Sequence, residues 1–454
     1  MHAIEKLLAE KSGHKEVHAG QIVNCDVDLA GINDLYYQTV KSFHEMGGTK
    51  VHDPNKVMIF FDHYAPCATT IQAEDHKKFR KFADEQGIKN LMDVNSGVCH
   101  QIVEDKGLAK PGQIIVITDS HSTMHGALGA FGTGVGATDL ATILITGKLW
   151  FKVPEVIRIN LTGHLKKGIY AKDVILYILG NLKADHGIYK AIEFAGPALK
   201  DFSVSERLAL CNMTTEMGAA TSYIQPDEVT KEYLHERGVD DYPVYTTDDD
   251  YQYSENLTYD LSRIQPQVAA PSDVDNVHNL SEYEGTHVNQ AYIGSCTGGR
   301  LQDFAVAATI LKGKKIKKGT RLIIVPASGE TTRECIKHGY IQTLLDAGAT
   351  LAPSGCAACI GIHQGLIAAN EVCISTSNRN FPGRMGSIKG KIFLASPAST
   401  AMAALTGCIS DPRTILEEVK QSWLVRFVRA KSTFSVIISI LTKFIQQSIL
   451  NTQN

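Results

Sequence analysis

Gln113-Ile114-Ile115-Val116-Ile117-Thr118 runs straight into Asp119-Ser120-His121. An unbroken apolar run of this length, ended at once by polar residues, reads as a strand buried on both faces. The pattern recurs. Residues 56–61 lead into Asp62-His63-Tyr64, residues 321–326 into Ala327-Ser328-Gly329, and Lys391–Ala395 into Ser396-Pro397-Ala398-Ser399. A fifth run, Gln290–Ile293, opens onto Gly294-Ser295-Cys296-Thr297-Gly298-Gly299-Arg300. Small-residue turns and amphipathic stretches separate these runs, as expected of parallel sheets wound with helices. In such α/β folds ligands collect outside the carboxyl ends of strands, so the polar tips are where chemistry is expected.

Working outward, 454 residues at roughly 150 per domain suggest about three domains. We expect them over 1–152, 153–285 and 286–413, with 246–284, rich in Asp, Ser, Tyr and Pro, as a linker or long excursion. With 44% hydrophobic and 20% charged residues the composition is that of an ordinary globular protein. A chain this long buries roughly 70–75% of its unfolded surface, so stability does not require disulfide staples. The N-terminus shows no apolar segment after a basic start, which predicts no secretory signal and a cytoplasmic location. No long uncharged apolar stretch precedes residue 430, so no membrane span is expected there. A net charge of −3, from 45 basic and 48 acidic residues, argues against a dedicated nucleic-acid or anionic-membrane binder. The tail 414–454 differs: from Lys420 onward it has no acidic residue, and its basic and apolar residues suit either an amphipathic helix on a membrane surface or partner, or a segment without a selected role.

Ten cysteines in such a chain point away from disulfides, and most read as small buried hydrophobes. Ser354-Gly355-Cys356-Ala357-Ala358-Cys359-Ile360-Gly361 is the exception. Two thiolates three residues apart on a tight loop suit zinc, an iron–sulfur cluster or a redox disulfide. No second Cys-x-x-Cys completes a four-ligand zinc knuckle, whereas Cys296 adds a third cysteine on a small-residue loop, which fits a cubane with one iron left open. Asp62-His63, Cys99-His100 and Asp119-Ser120-His121 supply carboxylates and histidines at strand ends. Each histidine alone reads as a satisfied core or surface residue, but beside an aspartate its tautomer and basicity are set, which suits acid–base work. The glycines of 126–136 follow the polar motif and precede no strand ending in an acidic residue, so a dinucleotide loop is not expected. Arg379 and Arg384, in Thr376-Ser377-Asn378-Arg379-Asn380-Phe381-Pro382-Gly383-Arg384, form a possible carboxylate fork or two solvated surface cations.

These stretches, with Asn212-Met213-Thr214-Thr215-Glu216, resemble the aconitase superfamily from residue 1 to about Arg413, and within it the large subunits of isopropylmalate dehydratase and homoaconitase. The resemblance implies three doubly wound α/β/α domains around an iron–sulfur cluster, without the swivelling domain of single-chain members. It implies that Cys296, Cys356 and Cys359 hold one [4Fe-4S] cluster whose fourth iron lacks a protein ligand. Asp62 and His63 would protonate the departing hydroxyl. His100, Asp119 and His121 would order substrate oxygens, Ser120, Asn212 and Glu216 would complete the polar shell, and Arg379 and Arg384 would clamp carboxylates. The implied activity is a hydro-lyase in a heterodimer, whose small subunit brings the swivelling domain. The first substrate reading is 3-isopropylmalate in leucine biosynthesis, with homoaconitate, citramalate and 2,3-dimethylmalate as alternatives. From another class, an apo form acting as an RNA-binding regulator is disfavoured by the near-neutral charge. Two departures bear on specificity: Tyr36-Tyr37-Gln38 follows Asn33-Asp34-Leu35 where members have small residues, and Ser122, Met124 and His125 follow Asp119-Ser120-His121.

Overall fold

The computed structural model describes residues 1–416, and the expectation for most of the tail lies outside them. The run around Ile115 forms the strand Ile114–Ile117, with all four residues buried. Ile115 and Ile117 enter one core while Ile114 and Val116 enter another. Each side chain alternates faces, and both faces are covered, so the run is apolar throughout. The four other runs become Val57–Phe60, Gln290–Ile293, Arg321–Ile324 and Lys391–Ala395.

Five parallel strands form the first sheet, in the order Asn90–Met92, Val57–Phe60, Leu29–Asn33, Ile114–Ile117, Phe131–Gly134. The chain winds outward from Leu29–Asn33 to one edge, then returns to build the other, which places a switch point between Leu29–Asn33 and Ile114–Ile117. A four-stranded parallel sheet follows, in the order Thr221–Ile224, Ala191–Ala195, Val156–Thr162, Glu255–Asp260. In the seven-stranded sheet, Gln290–Ile293 lies between Val372–Ser375 and Arg321–Ile324, giving a second switch point of the same kind. Its far edge is not parallel: Gln267–Ala269 runs antiparallel to both Lys391–Ala395 and Val277–Asn279.

Residues 246–284, read from sequence as a linker or long excursion, hold strands of two sheets. The segment supplies Glu255–Asp260 to one sheet and Gln267–Ala269 and Val277–Asn279 to another. Gln267–Ala269 and Val277–Asn279, three residues each, have no period to read, and pairing with other strands creates them.

Helix ends carry legible signals. Thr70–Gln86 starts on a Thr69/Gln72 capping box and stops at Gly87, whose φ of 71° a left-handed cap requires. Val204–Asn212 uses Ser203 and Glu206 in the same way. The glycines of 126–136 serve close backbone approach: a Cβ on Gly132 would lie 2.2 Å from the Ser122 carbonyl oxygen, and one on Gly134 2.4 Å from that of Asp119. They press the Asp119 turn against its neighbouring strand. Tyr37 packs edge-on against Phe79, 5.1 Å between ring centroids, and with Tyr36 joins the core that receives Ile114. Among the described residues no helix is long and apolar enough to cross a membrane.

Candidate active site

Both switch points send their polar tips into one region. Just after Val57–Phe60, His63 Nδ1 lies 2.6 Å from Asp62 Oδ1, both side chains almost wholly buried. Asp62 also accepts from the Cys99 amide at 2.9 Å and from the Asn33 side chain at 3.3 Å. Asp34 fixes the turn by accepting from the His63 and Tyr64 amides at 3.0 and 2.9 Å. On the other side of His63, Nε2 sits 3.6 Å from Asp119 Oδ2. Burial opposes a charge on this imidazole, yet Asp62 and the other anions beside it hold its pKa well above the usual range.

Asp119 gathers three histidines. His100 Nε2 is 3.5 Å and His121 Nδ1 3.4 Å from Oδ1, and the His121 amide donates to the same oxygen at 2.8 Å. Despite burial, His100 and its neighbours hold this carboxyl well below the ordinary carboxylate range. Burial draws His100 down to about 3, so the ring is neutral. His121 Nε2 meets Glu216 Oε1 at 2.8 Å, and Arg379 Nε donates to that oxygen at 2.8 Å. A second Arg379 nitrogen donates to Ser120 at 2.9 Å. Arg379 therefore has part of its fork committed within the site, while the buried Arg384 Nε has no partner.

The three cysteines stand across from these groups, buried and free of disulfides. Cys296 follows Gln290–Ile293, and the Cys356–Cys359 loop follows the strand Thr350–Leu351 of the same sheet. Ser295 and Ala357 hold φ at 72° and 49°, strained values for residues with a Cβ, at the two positions that turn the thiol loops. The Cys356 amide donates to the Asp62 carbonyl at 2.8 Å. One ligand atom from each of Asp62, His63 and Cys356 falls within 4.8 Å of the others, so the thiol loop and the acid–base pair share one space. Burial, Asp119 and Cys359 push the Cys296 thiol up to about 11, and burial also raises Cys356. The Asn212 and Asn378 amides approach the Cys296 sulfur at 3.1 and 3.3 Å. Asn212 thus lies against a thiol. Three free thiols from two loops, close enough to act on one another's charge, with amide donors on the Cys296 sulfur, are a donor set that fits an iron–sulfur centre.

Sequence reading gave no role to several residues that the fold brings here. Lys172 is buried with its ammonium 2.8 Å from the Ser377 carbonyl oxygen. Arg300 donates to the Cys296 carbonyl and, at 2.9 Å, to Gln101. His363 donates through Nε2 to the His63 carbonyl at 2.8 Å, leaving a buried Nδ1 without a partner. Arg300 and His363 each stand four residues beyond a cysteine of the motifs, whereas Lys172 carried no local signal.

The model of the aconitase family (aconitate hydratase) matches residues 5–285 and 278–407. The large subunit 1 of 3-isopropylmalate dehydratase from Methanopyrus kandleri is 47% identical over 91% of this chain and 99% of its own. The probable methanogen homoaconitase large subunit from Methanosarcina mazei is 50% identical over 86% of this chain and 99% of its own. With the family model spanning most of the sequence and relatives matched along almost their whole length, the chain belongs to the aconitase family of hydro-lyases.

Proposed function

We propose that this chain is the cluster-binding large subunit of a hydro-lyase that moves a hydroxyl along a di- or tricarboxylic acid, with 3-isopropylmalate of leucine biosynthesis as its substrate. The observation that carries the reading is the meeting of the Asp62–His63 pair with the Cys356 thiol, on a chain whose three loop cysteines are all buried and free and whose Arg379 loop reaches Glu216.

Cys296, Cys356 and Cys359 hold a [4Fe-4S] cluster, which when bound supplies Lewis acidity toward a hydroxyl leaving group. The chain's own residues do the rest. His63, kept cationic by Asp62, stores the proton at Nε2 and delivers it to the departing hydroxyl. Asp119 holds His100 and His121 in place, and the neutral His100 accepts or donates without adding charge. Arg384, with a buried unpartnered Nε, binds a substrate carboxylate, and Arg379 presents its remaining N–H groups beside it. The relatives are named large subunits, so we assign the base for the carbon-bound proton, and the clamp for the distal carboxylate, to a small-subunit partner.

The test is anaerobic reconstitution of the full chain with iron and sulfide, followed by assay with the small subunit. The parent should take up about four irons and show the broad visible cluster band, which Cys296→Ser loses. Parent and variant binding alike would remove Cys296 from the ligand set, and no binding by either would end the reading. Competition between 3-isopropylmalate and homoaconitate, the acids in the two relatives' names, decides the substrate.

A further inference from the structure

Lys172 opens the helix Ala171–Leu182 and is 3% exposed. A lysine so deeply buried ordinarily pairs with a carboxylate, because desolvating an unpaired ammonium is costly. This one does not. Its ammonium contacts only neutral groups: the Ser377 carbonyl at 2.8 Å, Thr297 Oγ1 at 3.4 Å and Met213 Sδ at 3.5 Å. Among the described residues no carboxylate oxygen lies within 4 Å of it. The charged groups that act on it are, in order, Cys296, Cys359, Glu216 and Asp303. Glu216 is taken by His121 and Arg379, both at 2.8 Å. Asp303 is committed to the Arg300 amide at 2.8 Å. The thiols remain, and they become anions when they ligate a metal.

We infer that Lys172 is the built-in counter-charge of the thiolate-bound centre, a positioning residue that sets the centre's electrostatic potential through Ser377 and Thr297 and never touches substrate. The inference rests on the cluster-binding reading above. Three thiolates bring more negative charge than the resting [4Fe-4S] core carries positive, and the net charge of a cluster is one of the levers on its reduction potential. A fixed cation nearby stabilises the reduced, more negative state. Removing it moves the midpoint to more negative values and makes oxidation easier. The contacts to Ser377 and Thr297 place the ammonium between the Cys296 loop and the loop that carries Arg379, so the charge sits behind both.

The experiment compares the full-length parent, Lys172→Met and Lys172→Arg after anaerobic reconstitution, by iron content, redox titration of the cluster's reduced-state paramagnetic signal, and rate of bleaching in air. Lys172→Met should retain a cluster with a more negative midpoint and bleach several-fold faster, while Lys172→Arg stays close to the parent. A midpoint in Lys172→Met equal to the parent's overturns the inference. If Lys172→Met does not fold, Lys172→Arg and Lys172→Gln carry the comparison, and equal midpoints in that pair overturn it as well. A parent that takes up no iron defeats the cluster reading instead, so the two failures are distinguishable.

Discussion

The tips of the first sheet and of the seven-stranded sheet face each other but differ in electrical character. At the first, charges are already matched: Asp62 and Asp119 flank the imidazole of His63, and Asp119 is surrounded by His100 and His121. At the second, amides meet the Cys296 sulfur while Arg300 holds the Cys296 carbonyl, the Cys296 and Cys356 thiols are pushed up, and the nearby cation Lys172 has no carboxylate. The proton-handling half is complete without any bound group. The thiol half reaches balance only when its sulfurs ionise. Separate elements therefore hold the two halves of the chemistry, and variants should uncouple them.

The largest separation is expected from Cys359→Ser. It should abolish iron uptake, read as bound iron and visible absorption, while leaving the fold intact by circular dichroism. His63→Asn should do the converse. Turnover with the small subunit should fall by ~10²–10⁴ in kcat, the usual reach of a lost general acid, with full cluster absorption retained. Loss of the cluster in His63→Asn would break the comparison, because Asp62, His63 and Cys356 would then act as one ligand set.

A buried cation that does have its anion sharpens the contrast. Arg207 is fully buried and makes two 2.7 Å bonds to Asp227. Asp227→Asn should cost about 2 kcal/mol in both apo and reconstituted protein, since it strands a buried guanidinium. Burial opposes ionisation of Asp227, but Arg207 holds its carboxyl below the ordinary range. Its contribution is whole above the unfolded value of about 3.9 and fades as pH falls below that through the depressed native value. Thermal melts of parent and variant should therefore converge as the solution is acidified. The smallest effect is expected at the Cys296 sulfur: Asn212→Ala removes one amide donor worth about 1 kcal/mol. Iron release to a chelator should then quicken about five-fold.

The five apolar runs were legible because strands covered on both faces need no polar residue for several positions in a row. The cysteines, the Asp–His pair and the arginines were legible because each lies immediately beyond a strand or on a tight loop. Lys172 was not, since Ala171-Lys172-Asp173 reads as an ordinary exposed helix start, and the strand Ala191–Ala195 and the helix Val204–Asn212 come between it and the thiols in the chain. The strands within 246–284 were hidden for a related reason: Gln267–Ala269 and Val277–Asn279 are too short to carry a period, and partners such as Val156–Thr162 and Lys391–Ala395 define the strands of this segment.

Local sequence settled which segments are buried, where helices begin and end, and which reactive residues stand at strand tips, because hydrophobic periodicity and capping act over a few neighbours. Tertiary structure alone decided that Asp62 would meet Cys356, that Asn212 would turn its amide on a sulfur, and that a lysine would be buried without an anion. Those are pairings between residues far apart in the chain, and their energies depend on distance and desolvation, which exist only once the sheets have come together.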